Sequence, residues 1–264
     1  MLLKSSVYAI LAFLLAPILI IVLFSFNGSQ SLSFPITSLS LKWYAQVFQD
    51  AQLGAALVSS LNIAFWTAVI TLLLGTAASL AWLRITRREQ VMFEALSITP
   101  IALPGLFIGV ALLVVFSQVG VALGTMTIIL SHVLLTLPLL IVSMKARLAL
   151  FDTSLEEASR DLGASISYTF AKVTLPLIAP TLFACAILSF AVSFDEFVVT
   201  SFVSGTETTL PMYIWSMMRR TVTPLINAIS TLALLFSIAI LVVAWVVGHL
   251  KRSSALSNRS SSEV

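Results

Sequence analysis

The chain has 264 residues, of which 59% are apolar and only 9% charged, with a mean hydropathy of +1.08. A soluble domain of this size carries about 25% charged residues, so these charges are too few to coat a water-facing surface; an ordinary soluble enzyme, a disordered chain and a nucleic-acid binder built on basic patches are excluded. In such a chain a net charge of +3 reports membrane topology rather than a polyanion partner, and the lone Cys185 can form neither an internal disulfide nor a thiolate metal site.

A membrane-crossing helix needs about 20 apolar residues. Six windows meet this, at 7–26, 55–83, 95–117, 121–144, 181–203 and 225–247. Barrel strands alternate apolar and polar residues, and runs such as 238–247 do not, so an all-α integral membrane protein with six transmembrane helices is expected. The first window is read as a retained helix, because its apolar run is long for a signal peptide and no small-x-small cleavage site follows it. Residues 27–54 follow as a loop in which Lys42-Trp43-Tyr44 suits a membrane interface. Within it, Asn27-Gly28-Ser29 matches a glycosylation acceptor. Residues 84–94 form a short basic turn, and a tight connection around Gly120 joins the third and fourth helices. The longest loop is 145–180, another loop spans 204–224, and the Ser-rich tail 253–264 is expected to be mobile. With both termini cytoplasmic, 11 of the 14 Lys and Arg residues lie inside and only Lys42, Arg219 and Arg220 outside, which is the expected bias. One transmembrane domain covers 1–264. The chain has no phosphate-binding Gly-rich loop and no His-Glu-x-x-His, so any use of ATP requires a partner.

The loop at 145–180 is the most informative stretch. Ser154 and Glu157 have capping-box spacing, and Gly163 suits a helix terminator. Between them Leu155, Ala158 and Leu162 form one apolar stripe, with Glu156 and Arg160 as an i,i+4 pair opposite. A two-turn helix of this kind is unstable alone in water. It either lies on the membrane surface or docks into a groove of another protein. Pro176 and Pro180 are expected to interrupt the chain before the fifth span.

The run Glu157-Ala158-Ser159, three residues, Gly163, nine residues, Val173-Thr174-Leu175-Pro176 resembles the EAA signature of permease subunits of bacterial ABC importers, with Ser159 and Val173 departing from its Ala and Ile. Ile101-Ala102-Leu103-Pro104-Gly105, Ser193-Phe194-Asp195-Glu196 and Leu210-Pro211 resemble the spermidine/putrescine-type branch. The resemblance runs from the first helix to the last. It implies the type I (MetI-like) importer permease fold in a bacterial inner membrane. It also implies that Glu157, Ala158, Ser159 and Gly163 build a coupling helix seated on an ATPase subunit, with Leu175 and Pro176 returning the chain to the membrane. The implied partners are an ABC ATPase dimer that binds ATP and Mg, a second homologous permease in a heterodimer, and a periplasmic substrate-binding protein. The chain itself needs no cofactor, catalyses no reaction and contacts no nucleic acid.

Asp195 and Glu196 are the acids deep inside a predicted span. Each costs about 2.5–3.5 kcal/mol near a helix centre on insertion scales. Counted from Thr181, Asp195 lies ~21 Å along the helix, beyond the midplane. Such residues face a cavity or a partner. In a solute pathway their carboxylates bind ammonium groups through charge-assisted hydrogen bonds; otherwise they bond a neighbouring helix or the partner permease. Phe194, Trp66 and Phe107 are candidates to stack on an organic cation. His132 is expected to be hydrogen-bonded between helices rather than to ligate a metal, and His249 to snorkel at a helix end. The spacings Gly105-x-x-x-Gly109 and Gly120-x-x-x-Gly124 allow close helix approach, while Pro100 and Pro104 mark a hinge or cavity wall. The favoured function is half of the translocation pathway of an ATP-driven importer for polyamines or similar small cationic amines. The alternative is an ion- or proton-coupled secondary transporter, which the absence of an inverted repeat disfavours.

Overall fold

The computed structural model describes residues 2–36, 38–220, 223–239 and 242. The tail 253–264, His249 and most of 240–247 lie outside the described residues. The chain divides into two compact units, Met1–Val58 with Thr209–Val243 and Ser59–Thr208 with Ala244–Val264.

Among the described residues the elements are helical. In chain order they are α1 (Leu2–Ser25), α2 (Lys42–Gln49), α3 (Ala51–Trp82), α4 (Arg87–Ala102), α5 (Gly105–Gln118), α6 (Thr125–Leu148), α7 (Ser154–Asp161), α8 (Ile166–Thr169), a π turn (Phe170–Thr174), α9 (Leu175–Asp195), α10 (Thr200–Val203) and α11 (Leu210–Arg220). A shorter apolar helix, α12, covers Pro224–Ala239. Four segments are long and apolar enough to cross a membrane: Lys4–Ser25 within α1, α3, α6 and the continuous run Ile166–Asp195. A fifth exists if α4 and α5 count as one broken span. The structure thus supports four or five of the six expected spans.

Two windows depart from a single helix. The third is split by a 106° bend between α4 and α5. Leu103 and Pro104 are extended, at ψ 135° and 137°; proline forces its predecessor out of the helical region and supplies no N–H. α4 also begins earlier than expected, because Thr86 and Glu89 form a capping box. The fifth window breaks after Asp195, where Glu196 is extended. Upstream, Pro176 and Pro180 do not interrupt it. Pro176 lies in the first turn of α9, Pro180 is inside that helix, and the π turn makes the run continuous with α8.

In the first unit, Trp43 is buried and its indole donates to the Asn27 carbonyl (2.6 Å), while the Tyr44 hydroxyl meets Ser25 (2.6 Å). These bonds tie the first turn of α2 to the end of α1 and the start of the loop that follows it. The Asn27 side chain is fully buried and donates to the Ser31 carbonyl, so it is closed to glycosylation. Asp50 caps α3 by accepting from the Gln52 and Leu53 N–H groups (3.0 Å each), and Tyr213 of α11 donates to its other oxygen (2.6 Å). Burial alone would raise the Asp50 pKa, but these three donors together bring it below its usual value. Burial and the Asp50 carboxylate push Tyr213 up to about 12.

The second unit has two apolar cores on α6. One joins Ile63 of α3, Ile108 of α5, Ile128 and Val133 to Val199 and Val203 at α10. Gly109 permits that contact, since a Cβ there would lie 2.6 Å from the Phe202 ring. The other core joins Leu140, Met144 and Leu148 to Ile178, Leu182 and Cys185 of α9.

Candidate functional site

The residues singled out in the sequence fall into two places in the second unit. The first is α7. Its expected capping box is not formed: Ser154 is the first helical residue, the N-cap position is Thr153 without a side-chain cap bond, and the Asp152 carboxylate before it accepts the Ser154 N–H at 3.0 Å. The Ser154 hydroxyl and N–H hold the Asp152 carboxyl below its ordinary range. Gly163 does terminate the helix. At φ +85° it occupies the left-handed region that residues with a Cβ adopt at a cost. The Gly163 N–H bonds the Arg160 carbonyl and the Ala164 N–H bonds the Ser159 carbonyl, the paired closure of a Schellman end.

The packing of α7 is inverted relative to a soluble amphipathic helix. Two of its polar residues turn into the chain: Glu156 accepts from the Thr174 hydroxyl, and Ser159 bonds Thr169 at 3.0 Å. Thr169 and Thr174 are buried. The expected pairing of Glu156 with Arg160 is thereby replaced by a bond to the helix beneath. The apolar stripe faces outward, with Leu155 46% and Leu162 90% exposed and Ala158 exposed as well. Glu157 is exposed beside it. Under α7 lies a cavity of about 440 Å³ lined by Arg84, Glu156, Arg160, Phe170 and neighbours. Leu175 and Pro176 open α9 and are exposed. Arg147 of α6 pins this region by donating twice to the Leu177 carbonyl, at 3.1 and 2.7 Å.

The second place is the corner between α9 and α10. Here the two adjacent acids part company. Glu196 turns back on the chain: its carboxylate accepts the Val199 N–H at 2.9 Å, and its carbonyl accepts the Thr200 hydroxyl at 2.8 Å. Such local side-chain bonds compete with helix continuation, and the β-branched run Val198-Val199-Thr200 weakens it further. Asp195, the last residue of α9, is exposed. A carboxylate at a helix C-terminus adds to the partial negative charge of the unbonded carbonyls, so the corner is poised for a cation. Phe194 is buried and stacks on Phe190 with centroids 6.1 Å apart. Trp66 is on α3, exposed, with its ring edge against Phe65; Phe107 is exposed on α5.

His132 is hydrogen-bonded between helices, as expected. It is 1% exposed, with Nδ1 2.7 Å from Ser193 Oγ and Nε2 2.8 Å from Thr200 Oγ1. The sequence reading missed the line of hydroxyls to which it belongs. Thr127 donates to the Val203 carbonyl (2.7 Å), Thr136 donates to the His132 carbonyl (2.8 Å), and Thr136 meets Thr71 of α3 (2.7 Å). Small polar residues recurring at 127, 131, 132 and 136 on an otherwise apolar span were the available signal.

An apolar helical chain with four or five candidate spans, a polar corner at the end of one of them and a platform presented outward has the build of a membrane protein. The chain belongs to the family described as binding-protein-dependent transport system inner membrane component, whose model matches residues 72–255. It is 34% identical over 92% of its length to the spermidine/putrescine transport system permease protein PotC of Haemophilus influenzae, covering 95% of that protein. It is 36% identical to the putrescine transport system permease protein PotI of Escherichia coli, over 84% of this chain and 82% of that one. Among solved structures, it matches a chain of a bacterial ABC transporter that imports the acidic polysaccharide alginate, with a TM-score of 0.71, 16% identity, and 93% and 94% of the two chains covered. That likeness shows the fold of an ABC importer permease.

Proposed function

We propose that this chain forms half of the translocation pathway of an ATP-driven importer for putrescine, spermidine or a similar small cationic amine. The observation that carries the coupling half of this reading is the inverted packing of α7. A helix that turns the half-buried Glu156 and Ser159 inward while exposing Leu155, Ala158 and Leu162 is built for an apolar groove on another protein, and burying the 90% exposed Leu162 there contributes about 1.5–3 kcal/mol. An ATPase subunit is the partner that the EAA resemblance implies, with Glu157, Ala158, Ser159 and Gly163 forming the docked turn and ATP and Mg held by that partner. The solute half rests on the relatives' cargo and on Asp195, whose exposed carboxylate at the end of α9 offers an ammonium group a charge-assisted bond. Glu196, Phe194 and Trp66 then shape the pathway around it.

In this arrangement α7 and both termini are cytoplasmic, in the inner membrane of a bacterium. A second, homologous permease completes the pathway, and a periplasmic binding protein delivers solute to the opposite face. Closure of the ATPase dimer moves α7, and α9 carries that motion from the π turn to Asp195. The experiment is reconstitution of the chain with its ATPase, companion permease and binding protein in liposomes. Uptake of labelled putrescine that requires ATP and the ATPase supports the reading; uptake by the chain without an ATPase overturns it in favour of an ion-coupled carrier.

A further inference from the structure

We propose that His132 is a positioning residue of the solute pathway: it pins both sides of the break between α9 and α10 and so fixes where Asp195 presents its carboxylate. This rests on the pathway reading of Asp195 given above.

The geometry assigns the direction of each bond. Thr200 spends its hydroxyl proton on the Glu196 carbonyl, 2.8 Å away. Its oxygen can therefore only accept from the imidazole, which places the ring proton on Nε2. Nδ1 is then the acceptor and takes the Ser193 hydroxyl proton at 2.7 Å. One imidazole thus joins the last turn of α9 to the first residue of α10. The six residues between Ser193 and Thr200 are held at both ends and once within, by the Glu196 carboxylate on the Val199 N–H. The Ser193 and Thr200 hydroxyls, both His132 nitrogens and one Glu196 carboxylate oxygen have protein partners, whereas the Asp195 side chain is exposed and makes no hydrogen bond or ion pair among the described residues.

The ring is itself held. Its backbone carbonyl accepts from Thr136, which meets Thr71 of α3, and the ring is 1% exposed. An apolar residue at 132 would fill the space yet leave the Ser193 hydroxyl without its acceptor and the Thr200 oxygen without its donor, and the corner would lose its fixed shape. A neutral histidine supplies one donor and one acceptor about opposite one another on a rigid ring, which is what two hydroxyls on separate helices require. His132 touches no solute in this scheme; it acts through the segment it clamps.

The test uses the assembled transporter in liposomes and reads KM and Vmax for ATP-driven putrescine uptake in His132→Leu, His132→Gln, Thr200→Val and Asp195→Asn. Thr200→Val and His132→Leu are expected to raise KM about tenfold, with Vmax held within about twofold, since misplacing a binding group weakens binding without removing the motor. His132→Gln, which keeps a donor and an acceptor, is expected to fall between these and the parent. On an Asp195→Asn background neither change should raise KM further. Should His132→Leu fail to assemble, Thr200→Val decides. A fall in Vmax at unchanged KM, or KM effects that multiply with Asp195→Asn, would overturn the positioning role. If Asp195→Asn raises KM while Thr200→Val does not, this inference alone fails; if Asp195→Asn leaves KM unchanged, the pathway reading fails and takes this inference with it.

Discussion

Both α7 and the α9–α10 corner turn their polar side chains toward the protein, but for opposite reasons. At the corner the surroundings are apolar, and every hydroxyl, carbonyl and imidazole nitrogen must find a protein partner or cost about 1–3 kcal/mol. His132, Ser193, Thr200 and Glu196 meet that demand among themselves. At α7 there is no such demand. Glu156 and Ser159 nonetheless bond Thr174 and Thr169, and Leu162 is left 90% exposed. At the corner the Asp195 side chain alone among these side chains is left without a protein partner; on the proposed reading α7 is completed by a partner. Polar satisfaction therefore marks a finished structure in the first case and a displayed surface in the second.

The difference can be broken most severely at the stripe. Leu162→Glu should leave the fold of the chain intact, since Leu162 is 90% exposed, yet cut ATP-driven uptake by more than about tenfold through loss of docking energy; uptake and ATPase co-purification read this together. Asp195→Asn comes next. Removing the charge from a charge-assisted bond costs about 1.5–3 kcal/mol, so KM for the amine should rise about tenfold or more while ATPase attachment stays normal. Gly163→Val forces a branched residue to φ +85° at about 1–3 kcal/mol, and should loosen both the Schellman end and ATPase attachment. Asp152→Ala removes the acceptor of the Ser154 N–H and should loosen the first turn of α7, measurable as faster amide exchange in residues 154–158, whereas Ser154→Ala should do less.

The smallest expected effect is a control within the first unit. Tyr213, raised to about 12 by burial and Asp50, contributes stability that is complete below its ordinary pKa of 10.0 and is lost as pH rises through the shifted value. Asp50, held below its usual 3.8, contributes above 3.8 and loses that contribution only as pH falls through its folded pKa. In a tyrosine titration by absorbance, one of the four tyrosines should ionise late, and Tyr213→Phe should abolish that late phase without changing uptake at neutral pH.

How much of this was legible in the sequence follows the range of the forces. Hydropathy located α1, α3 and α6 to within a few residues, because burial in lipid acts on composition over a whole turn-rich segment. It could not see the breaks. Leu103-Pro104-Gly105 carried a readable signal for the bend between α4 and α5, but the end of α9 depends on bonds from Glu196 to Val199 and Thr200 that no apolar count registers. The stripe on α7 and its glycine stop were readable from spacing. Which face turned outward was not, because that depends on Thr169 and Thr174, ten and eighteen residues from their partners. Asp195 and Glu196 were found together as intramembrane acids, yet only the fold separates the free carboxylate from the one that caps a turn.

The central claim is that the outward stripe of α7 is an ATPase-docking surface, and one labelling measurement addresses it directly. The sole cysteine, Cys185, is buried at 4% exposure, so a Leu162→Cys variant offers one accessible thiol. Its reaction rate with a hydrophilic maleimide is compared in the membrane-embedded permease alone and in the complex with the ATPase. The account predicts rapid labelling alone and protection of about tenfold or more in the complex; equal labelling in both states would contradict it.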